Sequence, residues 1–164
     1  MLTLNLIKNR FNKRAFLAEV RSSAKLTRDQ GIEIFLDTLM QEIPVWSGAA
    51  KATLIPLARL VNRSVNIIPK VNPPFDDPNE HGISAGKKKG AAKRINQAFD
   101  YGFSFDHTLY HYFINENFFH IYGAGTKPTP LKTFNKASNA WEDFMRNHGS
   151  DLLPDVWTYL ERVP

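Results

Sequence analysis

FDYGFSFDHTLYHYFINENFFHIY, residues 99–122, holds ten of the chain's twenty aromatic side chains. Its first part has strict two-residue periodicity: Phe99, Tyr101, Phe103 and Phe105 alternate with Asp100, Gly102, Ser104 and Asp106. A strand sends successive side chains to opposite faces, so an aromatic row lies on one side and small or acidic groups on the other. A second apolar run, Leu109 to Ile114, is followed by the polar break Asn115-Glu116-Asn117, and a third, Phe118 to Tyr122, ends at Gly123-Ala124-Gly125. Two or three antiparallel strands are expected, turning near His107-Thr108 and 115–117. Such a sheet is wet on one face and needs a cover on the other.

The flanking segments supply that cover. Ile32, Phe35, Leu36, Leu39, Met40 and Ile43 recur on one helical face, with Glu33, Asp37 and Gln41 opposite. Thr27 and Gln30 have capping-box spacing, so the clearest helix is predicted from Thr27 to Ile43, with Gly31 weakening its first turn and Pro44 stopping it. Downstream of the sheet, Phe134, Ala137, Trp141, Phe144 and Met145 mark a second amphipathic helix, with Gly149 placed to end it. A short strand over 2–6, a weaker helix from about Asn12, and a short terminal helix bearing Val156, Trp157 and Leu160 complete the expectation. Ser47 suits the N-cap of GAAKATLIPLARLV, whose small residues Gly48, Ala49, Ala50 and Ala52 permit close approach to a neighbour. Pro56 must end or kink that segment. Trp46, Trp141 and Trp157 are expected packing anchors. The fold class is α+β: a small antiparallel β-sheet with a helix from the N-terminal half and a C-terminal helix on one face, in a single domain over 1–164.

Residues 70–96 differ in character. VNPPFDDPNEHGISAGKKKGAAKR carries three prolines, and three acids followed by five bases, with no apolar period. A long exposed loop is expected there, and loops of that length in compact domains are commonly functional or disordered. Of the 21 basic side chains five, Lys87, Lys88, Lys89, Lys93 and Arg94, fall within 86–94; the other 16 equal the 16 acids in number. The net charge of +5 therefore belongs to one segment, which argues against a surface-wide nucleic-acid binder. A charge run is ordinarily just solvated. Flanked by glycines, these bases can also contact phosphates or an acidic protein surface.

No chemistry-bearing constellation stands out. Zero cysteines exclude disulfides, thiolate metal sites and cysteine nucleophiles, and fit a cytoplasmic origin. No apolar run is long enough to span a bilayer, and the apolar-then-basic order of the first residues is the reverse of a signal peptide. His107 and His111, or His111 and His120 across a hairpin, lack metal-ligand spacing. Asp100, Asp106, His107 and Glu116 are a conceivable nuclease-like cluster, but acids on the wet face of a strand are normal. The segments around 86–90 and 123–125 match neither a P-loop nor a dinucleotide fingerprint. No enzyme, cofactor or metal is expected.

Ile43-Pro44-Val45-Trp46-Ser47-Gly48 with Lys51 and Ala52, then Phe118 to Gly123 with Gly125-Thr126 and Pro130, then the helix 134–148, follow a familiar order. Over about 27–148 the chain resembles the tail-completion or tail-terminator (neck, head–tail joining) proteins of long-tailed bacteriophages. The resemblance implies a structural virion protein at the neck or tail top, assembled in the host cytoplasm. Copies would form a homo-oligomeric ring, commonly a hexamer, that caps the tail tube. Its implied partners are other copies, the tail tube protein and a head-completion, adaptor or portal ring, with genomic DNA in the lumen if the basic loop faces inward. Pro44, Trp46, Ser47, Gly48, Lys51, Tyr122, Gly123 and Gly125 are the implied motif and interface positions. Residues 70–96 are longer than the family's usual loop, and 150–164 extend beyond it. The alternative is a small nucleic-acid-binding protein or nuclease using the basic loop and the Asp/His cluster. A third reading is an interaction module whose loop folds on a partner.

Overall fold

In the computed structural model, residues 9–43, 45, 47–70, 82–97, 100–106, 132–148 and 160–162 are described. Strand β1 (Asn9–Phe11) leads into α1 (Lys13–Glu42), then α2 (Ala49–Ala52), α3 (Ile55–Leu60), α4 (Gly82–Lys89), β2 (Ala91–Gln97), β3 (Asp100–Asp106), α5 (Thr133–His148) and β4 (Leu160–Arg162). The chain is α+β, as expected. Two antiparallel two-stranded pairs form, β1 with β4 and β2 with β3.

Helix α1 is the axis. At 30 residues it is about 45 Å long. Asn12, not Thr27, caps it: the Asn12 side-chain oxygen accepts from the Ala15 backbone N–H at 3.1 Å. Thr27 sits in mid-helix, its hydroxyl donating to the Ser23 carbonyl at 2.9 Å, so the capping-box spacing misplaced the start. With no proline between 13 and 42, nothing interrupts the ladder, and the weak and strong helical segments fuse into one. The helix stops at Glu42, before Pro44.

The buried face of α1 is the one expected. Ile32, Leu36, Leu39 and Ile43 join Leu54, Leu57, Ala58 and Ala137 in the core, with Phe35 and Met40 half-buried beside them. Each such large side chain contributes about 1.5–3 kcal/mol of burial free energy. From β3, Phe103 meets Phe35 edge-on at 5.6 Å between ring centroids, while Phe105 stacks on Phe134 of α5 at 6.2 Å. Phe103 and Phe105 of the aromatic row thus pack against the core. Trp141 of α5 anchors packing as expected: it lies so close over Gly31 that no Cβ would fit there, and Gly31 is a docking notch rather than a weak first turn. Met145, expected on the same face, is exposed. Lys136 and Glu42 add an ion pair at 2.5 Å between α5 and α1.

The pairing of the sheet differs from expectation. The partner of β3 is β2, upstream, in a register that sets Arg94 opposite Phe103 and Lys93 opposite Ser104. Residues 82–97, expected as the second half of a long loop, form α4 and β2. No period was visible because the buried positions of α4 are Gly82, Ala85 and Gly86, whose small side chains carry no apolar signal. They pack on α2, whose Ala49 and Ala52 are buried. A Cβ on Gly86 would lie 2.7 Å from that of Ala52 and nearer still to the Ala49 carbonyl oxygen. The small residues of α2 do permit close approach, and the neighbour is within the same chain. Gly48 rather than Ser47 is the cap residue, its φ of +83° lying in the left-handed region that glycine favours. Pro56 falls in the first turn of α3, where its missing N–H costs nothing, so the segment breaks ahead of it. Leu160, expected in a terminal helix, belongs to β4. The expected strands at 2–6, 109–114 and 118–122, the remainder of the terminal helix, Trp46, Trp157 and Gly149 lie outside the described residues.

Gly86→Val is expected to destabilise the fold by about 1–3 kcal/mol through overpacking against α2, read as a lower urea midpoint. Ser84→Val, on the exposed side of the same helix, should shift stability by under about 0.5 kcal/mol. Equal effects would refute the close α2–α4 contact.

Candidate functional site

The five bases singled out from sequence sit on one helix–strand unit. Lys87, Lys88 and Lys89 occupy the last turn of α4, where the helix dipole favours cations. All three are exposed. Gly90 closes the helix, its N–H donating to the Gly86 carbonyl at 3.1 Å, and β2 begins at the next residue. Lys93 and Arg94 follow on that strand.

Their adjacency in sequence separates them in space. Strand alternation and the register put Ala92, Arg94 and Asn96 on the face shared with Tyr101, Phe103 and Phe105. Lys93 lies on the other face beside Ser104, exposed. Arg94 therefore turns toward α1. It makes a two-pronged contact with Asp29, Nε to Oδ1 at 3.1 Å and Nη2 to Oδ2 at 3.0 Å, and also donates to the Leu60 carbonyl. Such paired hydrogen bonds match the flat guanidinium to the carboxylate. Arg28, buried on α1, completes the cluster through Asp29 at 2.8 Å and the Asn96 side-chain oxygen. Arg94, still exposed, is a strut joining β2 to α1 and α3. The loop reading treated 93 and 94 alike; only pairing with β3 assigns them opposite faces. Arg28, Asp29 and Asn96 gave no signal in sequence, being ordinary polar residues scattered along the chain.

Partial burial by itself would raise the Asp29 carboxyl, but hydrogen bonds from Arg28 and Arg94 and their positive charges outweigh it and hold the group below its ordinary 3.8. A depressed carboxylate stabilises the fold above its unfolded-state value, and that stabilisation disappears as pH falls through the folded-state value.

Of the motif positions, Ser47 is buried, Gly48 caps α2 and Lys51 is half-buried on it. Pro44, Trp46, Tyr122, Gly123 and Gly125 lie outside the described residues, as do His107, His111, His120 and Glu116. Asp106, the exposed end of β3, is opposite Ala91. Among the described residues, no three His, Asp or Glu side chains converge as metal ligands. No described helix is long and apolar enough to cross a membrane.

Arg94→Ala should cost about 1 kcal/mol in urea unfolding, because it removes a two-pronged ion pair whose side chains are 35% exposed and so screened by solvent, whereas Lys93→Ser should stay within about 0.5 kcal/mol of the parent. Separately, as pH falls below 3.8 the parent should lose stability that Asp29→Asn, already without the carboxylate, does not lose; parallel pH profiles would contradict the assigned role of Asp29. No protein-family model matches the chain, and neither the curated proteins nor the solved structures hold a significantly similar one.

Proposed function

We propose that this chain is a structural protein of the neck of a long-tailed bacteriophage, a ring-forming subunit that caps the tail tube and joins it to the head connector. The observation that carries the reading is that Lys87, Lys88, Lys89 and Lys93 are all exposed on a helix–strand unit packed tightly to the body of the fold. A ring subunit needs such fixed, charged contact points, because heterologous interfaces close only if each copy meets its neighbour at one angle. The motif Ile43 to Gly48 supports the same reading: it occupies the junction between the central helix and α2, with Ser47 buried and Gly48 turning the chain.

The same lysines favour a second reading, a nucleic-acid-binding protein. Phosphate contacts need exposed cations held on one surface, and the aromatics Phe103 and Phe105 are taken by the core, leaving charge rather than stacking to supply affinity. Arg94, the fifth base of the run, is paired with Asp29.

Replacing Lys87, Lys88 and Lys89 together by serine should leave the fold intact and sharply reduce the yield of joined particles in a complementation assay. Unchanged yield would sink the neck assignment for this surface. The mass of the pure protein, taken with and without long DNA across a salt series, separates the two readings. A discrete multimer, or a monomer indifferent to DNA, supports the neck ring. A monomer whose DNA affinity falls steeply with salt supports nucleic-acid binding.

A further inference from the structure

We draw no further inference here: the strongest candidate, the fully buried Thr133 hydroxyl in the first turn of α5, which finds no hydrogen-bond partner among the described residues, carries nothing because the chain leading into that turn lies outside the described residues and nothing in the structure shows what the hydroxyl faces.

Discussion

One face of α1 organises this molecule. Ile32, Leu36, Leu39 and Ile43 lie along a single stripe and are almost wholly buried, and α3, α5 and β3 all pack against it. α3 brings Leu57 and Ala58, α5 brings Ala137 and Phe134, and β3 brings Phe103 and Phe105. A long helix can serve three partners because its apolar stripe, roughly 100° wide, runs along its length. The notch at Gly31 lets α5 come in closer than any larger residue would allow, seating the Trp141 ring against the helix backbone.

A second kind of contact holds the lysine-bearing unit. α2 and α4 meet through Ala49, Ala52, Ala85 and Gly86, where backbone approaches backbone and little apolar area is available. Their strength comes from close packing, which tolerates no added atoms. The unit is then joined to the central helix through polar groups, Arg94 and Asn96 of β2 reaching Asp29 and Arg28. Small-residue packing on one side and a shared carboxylate on the other fix the direction in which Lys87, Lys88, Lys89 and Lys93 project.

The contrast between Lys93 and Arg94 carries the functional argument. Both were counted in one positive run, yet one faces solvent and the other neutralises a carboxylate at the root of the strand. The basic run is thus divided between an internal ion pair and exposed lysines.

Much of the architecture was legible in the residues themselves. The 3.6-residue recurrence from Ile32 to Ile43, the aromatic alternation up to Phe105, the break ahead of Pro56 and the helix beginning near Phe134 are local patterns, and local periodicity is set by backbone geometry alone. Whether Asn12 or Thr27 began the central helix was undecided locally, because either residue type can cap. Tertiary structure alone decided the rest. It made a helix and a strand of 82–97, where glycine and alanine give no apolar signal and packing on α2 supplies what propensity lacks. It paired β3 with the basic segment upstream, a choice between distant partners that alternation within one strand cannot make. With that register came the inward turn of Arg94 and the outward turn of Lys93, since a side chain's face depends on which strand lies beside it.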